Sequence, residues 1–347
     1  MSVSLIVLLP VILLGTVVLF CFVGCALDTS GIPGTGGPPG PPAFTKYSDT
    51  TVLANPAVVA YWPLGESADT VPAVDRTPNP DNGQYVDPAT MLAIYPWPAN
   101  PVGNPPGPDV QSAAAPGSIA FAQPGIVVGD AIQPGNDPTK VTPCVVVNGC
   151  YVNVPLSAKI NPPTKFTVEA WVRVDWDKNA DSAWRFVLDA RDLDPCTGFG
   201  LLARADDNQT GVYHWQAIIG NGGNGTAGFT SAISSDPPIT LNDPSSESAT
   251  ATICYLAATF DGSTLLLYVN GQESGKASPA TYVPNSTQPL WIGAGAPYVP
   301  LRPQAPGVVA GPLFPFQGAI QDVAIYNDAL TFDIILKHFH NGTGVDP

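Results

Sequence analysis

Proline and glycine interrupt this chain so often that long helices are excluded from most of it. The 347 residues include 40 prolines and 34 glycines, and both residue types break helices and mark turns. After Tyr47, no stretch keeps helical periodicity until the last twenty residues, and short runs of alternating apolar and polar residues take its place. Because 45% of the residues are hydrophobic, the chain has enough apolar material for a core. This combination is typical of an all-β domain.

The clearest strand is Phe166–Val174, in which five apolar residues point to one face. Thr167, Glu169, Trp171 and Arg173 point to the other face. The same pattern predicts ten strands: Val58–Leu64, Cys150–Val154, Phe166–Val174, Trp184–Asp189, Gly200–Ala205, Val212–Ile219, Thr252–Phe260, Leu265–Val269, Leu290–Ile292 and Ala319–Tyr326. About ten short strands separated by turn residues predict a two-sheet antiparallel sandwich or jelly roll.

Two turns and one helix complete the local prediction. Asp261-Gly262 and Asn270-Gly271 each separate two apolar runs, and such dipeptides favour tight hairpins because both residues adopt positive φ at low cost. Ala329–His340 is predicted as a short C-terminal helix. Its predicted apolar face consists of Leu330, Ile334, Ile335 and Phe339.

The N-terminus is predicted to insert into a membrane. Val3–Leu27 carries no charge and is long enough to cross a bilayer as a helix, so residues 1–27 are interpreted as a transmembrane anchor. A lipoprotein-type signal is an alternative, because Phe22–Cys25 resembles a lipobox with Cys25 as the lipidated residue, and simple cleavage is a third. Residues 28–46 form a Pro/Gly-rich tether, and ten of the thirteen residues in Ser30–Pro42 are proline or glycine.

Charge limits the partners and the compartment. The chain has 13 Lys+Arg and 28 Asp+Glu, with a net charge of −15, so it lacks the basic surface that nucleic acid requires. The first basic residue is Lys46. Scarce basic residues together with several cysteines suit an oxidising compartment. We therefore expect a membrane-anchored protein whose bulk lies on the extracytoplasmic side, periplasmic or at the cell surface.

Four segments share the pattern of one known family: VVAYWPLGES at 58–67, GCYVNVPLSAKINPPTKFTVEAWVRVD at 149–175, LAATFDGSTLLLYVNGQ at 256–272 and FQGAIQDVAIYNDALTFDIILKHF at 316–339. Together they resemble the laminin-G-like jelly roll of the concanavalin A-like lectin/glucanase superfamily. The resemblance implies one jelly roll over residues 47–347, with Val58–Leu64 beside Ala319–Tyr326. Gln321-Asp322 departs from the acidic pair that the family usually carries in its last strand. Residues 79–140 and 220–248 match poorly and are interpreted as long loop insertions.

Four cysteines follow the membrane segment, and their even number permits three disulfide connectivities. We expect Cys144–Cys150, because an Asn-Gly turn separates them, and Cys196–Cys254, which would join a long loop to a strand. A zinc site is the weaker alternative, since no CxxC spacing occurs.

Catalytic motifs are missing from the sequence. Glycosidases on this fold need two carboxylates, commonly in a Glu-x-Asp-x-x-Glu strand, and none of the four glutamates lies in that pattern. Glu169 lies in mid-strand, where it would either face a cleft or bond to Arg173 or a neighbouring strand. No nucleophile elbow, HExxH, P-loop or dinucleotide motif occurs. The sequence therefore predicts a protein that is not an enzyme.

Two candidate ligand sites follow from residue type. A calcium site, implied by related jelly rolls, would use carboxylates from two predicted loops, and a solvated acidic rim is the alternative. The candidates are Asp189, Asp192, Asp194, Asp206 and Asp207. Tyr213 and Trp215 lie on one face of a strand and would either stack on a sugar ring or pack between the sheets.

These features predict a non-enzymatic, membrane-anchored binding or assembly module on the extracytoplasmic side. One version binds glycans or matrix. The other is a structural subunit of a larger membrane complex, for example an energy-transducing one, with Gly15 and Gly24 allowing close helix packing. A glycan-cleaving enzyme is the third hypothesis.

Overall fold

A computed structural model describes residues 47–86, 118–123, 125–127, 144–176, 184–206, 212–235, 239, 252–295 and 314–344. The anchor and tether predicted for residues 1–46 lie outside these ranges, as do the lipidation candidate Cys25 and most of the 79–140 insertion. Within the described ranges, no helix is long and apolar enough to span a bilayer.

Two antiparallel sheets form the body. The first has the strand order β15-β14-β13-β6-β17-β4-β3, with β1 also paired to β17, and the second has the order β12-β11-β10-β7-β16-β5-β2. The strands are β1 Val58–Trp62, β2 Gln84–Val86, β3 Ser118–Gln123, β4 Cys144–Asn148, β5 Tyr151–Val154, β6 Phe166–Val174, β7 Arg185–Asp189, β8 Asp192–Leu193, β9 Cys196–Thr197, β10 Phe199–Ala205, β11 Tyr213–Gly220, β12 Phe229–Ile233, β13 Ile253–Phe260, β14 Leu265–Val269, β15 Gln272–Ala277, β16 Leu290–Ile292 and β17 Gln317–Tyr326. Within the described residues, strands β8 and β9 form a separate two-stranded sheet. Helix α1 spans Phe332–Thr343, and single helical turns occupy Ser48–Val52 and Thr226–Gly228.

The two-sheet all-β prediction is confirmed, and each of the ten predicted strands is present with ends that differ by at most two residues. Both predicted hairpins form, joining β13 to β14 and β14 to β15. In the second hairpin Asn270 and Gly271 both have positive φ, 51° and 76°, as the dipeptide predicts. The C-terminal helix begins at Phe332, three residues later than predicted. The segment just before the helix is extended because the Thr167 hydroxyl donates to the carbonyl of Asp328 and accepts from the backbone N–H of Leu330.

The first and last strands are adjacent, as the family resemblance implies. Strand β1 pairs with the second half of β17, so that Val58 lies opposite Tyr326 and Trp62 opposite Val323. Strand β4 pairs with the first half of β17, while β6 pairs with both halves. Strands β4 and β1 therefore follow one another along one edge of β17.

Several edge strands were not predicted. Strands β2 and β3 lie within the 79–140 segment and β12 lies within 220–248, both of which the sequence suggested were loop insertions. These strands are short, and most of their residues are only half-buried. Without a buried face, a strand lacks the alternation from which it would be predicted.

Strand β6 is buried on both of its faces. The residues predicted to share one face, from Phe166 to Val174, pack into the core between the sheets. The opposite face is also buried, and Trp171 there packs with residues of α1 and of the N-terminal segment around Tyr47. The outer side of the first sheet is thus covered by the two ends of the domain.

Gly342 allows α1 to approach the sheet closely. A Cβ atom at this position would lie 2.1 Å from Cζ2 of Trp171. In an open helix, Gly→Ala stabilises by about 1 kcal/mol, but here we expect Gly342→Ala to lower the free energy of unfolding by about 1–3 kcal/mol, because α1 must move away from Trp171. Urea denaturation measures the change, with the exposed Lys337→Ala as a control. Stabilisation by Gly342→Ala would contradict this packing.

Candidate functional site

The two aromatic residues predicted to bind a sugar belong to the core. Tyr213 and Trp215 on β11 are 0% and 2% exposed and lie between the sheets. Tyr213 packs edge-on against Trp176, with ring centroids 5.7 Å apart. The stacking prediction is therefore wrong for this pair, and the alternative of core aromatics describes them.

The intervening residues of β11 lie on the outer face of the second sheet. Because side chains alternate along a strand, His214, Gln216 and Ile218 point away from the core that contains Tyr213 and Trp215. His214 lies opposite Arg204 on β10, and Gln216 lies opposite Leu202. This face therefore brings together polar side chains from neighbouring strands.

The side-chain oxygen of Gln216 is an unpaired hydrogen-bond acceptor on this face. Its Nε2 donates to Ser231 Oγ at 2.7 Å, whereas its Oε1 is buried and accepts no hydrogen bond from the described part of the chain. The residue as a whole is only 4% exposed. Nδ1 of the neighbouring His214 is also buried and lacks a hydrogen-bond partner among the described residues. Buried polar atoms are seldom left unpaired, yet Gln216 Oε1 and His214 Nδ1 are two unsatisfied polar atoms on this face.

Half-buried aromatic rings flank these polar groups. Trp184 and Phe314 pack together with ring centroids 6.3 Å apart, and both contact the buried outer-face cluster of Phe186, Leu202 and Ile218. Phe314 is positioned by its carbonyl, which accepts from the backbone N–H of Phe186 at 3.0 Å. We call Trp184, His214, Gln216, Ser231 and Phe314 the outer-face site. Partly exposed rings beside a few unsatisfied polar groups are typical of a ligand-binding surface.

Glu169 lies on the outer side of the other sheet, in a closed cluster beneath α1. Its carboxylate accepts from Tyr255 Oη at 2.5 Å and Tyr326 Oη at 2.7 Å, and His338 Nδ1 lies 2.9 Å away. Tyr47 Oη contacts it at 3.4 Å. The predicted bond to Arg173 is absent, since Arg173 pairs with Asp175, while the alternative of bonds to neighbouring strands is what the structure shows.

The surroundings of Glu169 keep it ionised. Burial raises its pKa, but the positive charge of His338 and the hydrogen bonds from His338, Tyr255 and Tyr326 outweigh this, so the pKa lies below its ordinary value. Burial and the nearby carboxylate raise the pKa values of Tyr255 and Tyr326 well above their ordinary value. A fully buried carboxylate that is hydrogen-bonded on all sides has no access to a substrate.

Asp189 is likewise already paired. Arg191 binds its two carboxylate oxygens at 2.8 and 3.0 Å. Asp189 pairs with Gly200 in the second sheet, whereas Glu169 lies on the outer side of the first sheet. The two carboxylates are therefore separated by the sandwich and cannot flank one glycosidic bond.

Two of the five aspartates proposed for calcium, Asp192 and Asp206, lie near opposite ends of β10. Asp192 accepts from the backbone of Leu193 at 2.7 Å and from the Thr287 hydroxyl, near the start of β10. Asp206 follows the end of β10, about 20 Å away at the usual rise per residue, and lies 3.9 Å from His214. Asp207 lies outside the described residues. In the part of the chain that is described, no three His, Cys, Asp or Glu side chains form a metal-binding group, and calcium binding stays a prediction.

The expected Cys196–Cys254 disulfide is not formed. Both thiols are buried and unbridged. Cys196 lies beside Gly220 at the end of β11, whereas Cys254 accepts a hydrogen bond from Trp215, five residues earlier on the same strand. The two sites are about 17 Å apart at the usual rise per residue, too far for a disulfide.

The other expected disulfide, Cys144–Cys150, lacks the hairpin on which it depended. Strand β4, which starts at Cys144, lies in the first sheet, whereas β5 after Cys150 lies in the second. The chain therefore passes from the first sheet to the second at Asn148-Gly149. The side chain of Cys144 lies outside the described part of the structure, so this pairing stays a prediction.

Comparison with known proteins gives one family. A model of the concanavalin A-like lectin/glucanases superfamily matches residues 148–335, and no curated protein matches the chain. Among solved structures, the botulinum neurotoxin serotype D ligand-binding domain in complex with N-acetylneuraminic acid is 11% identical, with a TM-score of 0.47 over 82% of this chain and 50% of that one. The receptor-binding domain of botulinum neurotoxin mosaic serotype C/D is 11% identical, with a TM-score of 0.48 over the same shares. The binding domain of Paraclostridial Mosquitocidal Protein 1 is 14% identical, with a TM-score of 0.39 over 56% of this chain and 43% of that one.

This chain thus spans half or less of the length of those structures. The family model covers more than half of the present chain, from the end of β4 into α1. Its match agrees with the two antiparallel sheets. The chain therefore belongs to the concanavalin A-like lectin/glucanases superfamily.

Proposed function

We propose that this protein is a non-enzymatic binding module, anchored to a membrane on its extracytoplasmic side, that binds carbohydrate at the outer-face site. One observation carries the proposal: the unpartnered, buried Oε1 of Gln216 lies on the same sheet face as the half-buried rings of Trp184 and Phe314. Sugar rings stack on aromatic side chains, and their hydroxyls donate to such acceptors. Trp184 and His214 lie two strands apart, about 10 Å at the usual spacing, which suits a ligand of more than one sugar ring.

Two further features support the proposal. Glu169 and Asp189 are buried and saturated by other side chains, which favours binding over hydrolysis. The charge-free stretch Val3–Leu27 favours a membrane anchor, and the Pro/Gly-rich stretch after it favours a tether.

Retention on immobilised glycans tests the site. We expect Trp184→Ala and Gln216→Leu each to weaken retention of the full-length protein in mild detergent by about tenfold, the effect of one lost stacking or hydrogen-bonding contact. Phe332→Ala is the matched control, because Phe332 is an exposed aromatic residue on α1, outside this site. Thermal melting of each variant separates loss of binding from loss of fold.

Four outcomes would contradict parts of the proposed function. Retention that survives both substitutions contradicts the outer-face site, and no retention on any glycan contradicts the carbohydrate ligand. Release of reducing sugar from a retained glycan contradicts the non-enzymatic assignment. A mature protein whose N-terminus has lost residues 1–27 without lipidation contradicts the membrane anchor.

A further inference from the structure

Glycine follows asparagine at six places in this chain. An asparagine loses its side-chain amide when the backbone nitrogen of the next residue attacks the side-chain carbonyl carbon, and glycine permits this approach best because it has no Cβ atom. The six asparagines are Asn82, Asn148, Asn221, Asn224, Asn270 and Asn341. Because the reaction needs a free side chain and a free backbone nitrogen, the fold determines which of them can react.

Hydrogen bonds hold three of these side chains in separate parts of the fold. Asn82 Oδ1 accepts from a backbone N–H at 3.0 Å, and Asn270 Oδ1 accepts from another at 2.9 Å. Asn341 Nδ2 donates to a threonine hydroxyl at 2.8 Å. The side chain of Asn148 lies outside the described part of the structure. Each of the three bonds must open before its asparagine can react.

The loop between β11 and β12 contains the other two asparagines, Asn221 and Asn224. Asn221 is held on both sides of its amide, since its Nδ2 donates to the carbonyl of Ala227 and its Oδ1 accepts from a backbone N–H, both at 2.9 Å. The nitrogen that would attack it belongs to Gly222 and donates to the carbonyl of Cys196 at 2.8 Å. Both reacting groups of Asn221 are therefore engaged.

Asn224 differs from Asn221 in each of these respects. It is exposed, and neither its side-chain amide nor the backbone N–H of Gly225 forms a hydrogen bond within the described residues. Gly225 has a positive φ of 61°, and a Cβ atom placed on it would have no neighbour within 4 Å. The space around the attacking nitrogen is therefore open.

We infer that Asn224-Gly225 is a site of spontaneous modification in the folded protein, where the asparagine converts to aspartate and isoaspartate. The Gly225 nitrogen attacks Asn224 Cγ, and a C–N bond forms while the Cγ–Nδ2 bond breaks. Nδ2 leaves as ammonia with the proton of the Gly225 N–H. Water then opens the succinimide ring at either of its carbonyl carbons. Both products carry an added negative charge, and isoaspartate also lengthens the backbone by one carbon.

This site is separate from the outer-face site and does not depend on the proposed function. Asn224 lies beyond Gly220, the last residue of β11. Gln216 lies about 13 Å before that end at the usual rise per residue. Glycan retention and the modification of Asn224 therefore succeed or fail independently.

Peptide mapping by mass spectrometry tests the inference on the full-length protein in mild detergent. The sample is incubated at physiological temperature and mildly alkaline pH, which favours the attacking nitrogen. Asn224 should convert to the acid at least about tenfold faster than Asn221, because three hydrogen bonds have to open before Asn221 can react. In urea-unfolded protein the two asparagines should convert at similar rates, since both precede glycine.

Ion-exchange chromatography gives a second readout through the added charge. An acidic species should accumulate in the wild type at the rate at which Asn224 converts, and Asn224→Gln should lack it. Conversion of Asn224 no faster than that of Asn221 in the folded protein would overturn the inference, as would faster conversion at Asn82, Asn270 or Asn341. The same ratio of rates in folded and unfolded protein would also overturn it, because the fold would then not select the site.

Discussion

Replacing Glu169 by alanine should lower the free energy of unfolding by about 3–5 kcal/mol, the cost of breaking a buried ion pair from one side. The substitution leaves His338 and the hydroxyls of Tyr255 and Tyr326 buried beneath α1 without their shared acceptor. Each buried polar group left unpaired costs about 1–3 kcal/mol. Chemical denaturation followed by tryptophan fluorescence measures the loss.

The Glu169→Leu/His338→Leu double variant is the informative comparison. Replacing both partners of a buried pair by apolar residues often costs little, so the double variant should be more stable than the sum of the two single variants predicts. A coupling energy of about 0.5–3 kcal/mol is expected for such a contact. Additive effects would show that the Glu169–His338 contact carries no energy of its own.

The loss of stability at acidic pH tests the ionisation of Glu169, because a packing defect alone would not change the pH dependence. The pKa of Glu169 is lower in the folded protein than its ordinary value of 4.5. Its ionisation therefore stabilises the fold above that value, and the stabilisation is lost as the pH falls through the lower, folded-state pKa. Below pH 4.5, the wild type should lose stability more steeply than Glu169→Gln. Parallel slopes would contradict an ionised Glu169.

The sequence predicts the strands of this domain far better than it predicts the Glu169 cluster. Strand β6 and its hairpin-joined neighbours carry local signals, namely alternation and turn dipeptides. The partners of Glu169 are separated from it by 86 to 169 residues, and no local pattern joins them. One signal was present: His338 lies three residues after Ile335 and four before Gly342, so helical spacing places all three on one face of α1, and all three are buried.

The outer-face site was missed for a different reason. Alternation along β11 shows that Tyr213 and Trp215 share one face and that His214, Gln216 and Ile218 share the other. It does not show which face meets the opposing sheet, because both faces contain large apolar side chains. Which face of β11 is buried between the sheets depends on the pairing of β11 with β10 and β12 and on the packing of the two sheets against each other. The register of non-local strands is set by tertiary packing and turn geometry.

Replacing Arg191 by alanine should also cost about 3–5 kcal/mol, because it removes the arginine that binds both oxygens of the buried Asp189 carboxylate. The guanidinium makes two parallel bonds to that carboxylate and lies over the rings of Phe186 and Phe229, 4.5 and 5.1 Å from their centroids. Lysine can form neither the bidentate hydrogen bond with the carboxylate nor the stacking contacts with the rings. Arg191→Lys should therefore also be destabilised, by less than Arg191→Ala.

The chain provides a matched control for this prediction in Arg173. Arg173 binds Asp175, also two residues away, through two hydrogen bonds of 2.8 Å. The side chains of Arg173 and Asp175 are 25% and 29% exposed. Those of Arg191 and Asp189 are 6% and 0% exposed. Exposed pairs contribute about 0–1 kcal/mol, so Arg173→Ala should lose far less stability in urea denaturation than Arg191→Ala. Because the two pairs share spacing and bonding, the difference between them measures the effect of burial together with the contacts of Arg191 with Phe186 and Phe229. Equal losses would show that burial of the carboxylate does not determine the cost of removing its arginine.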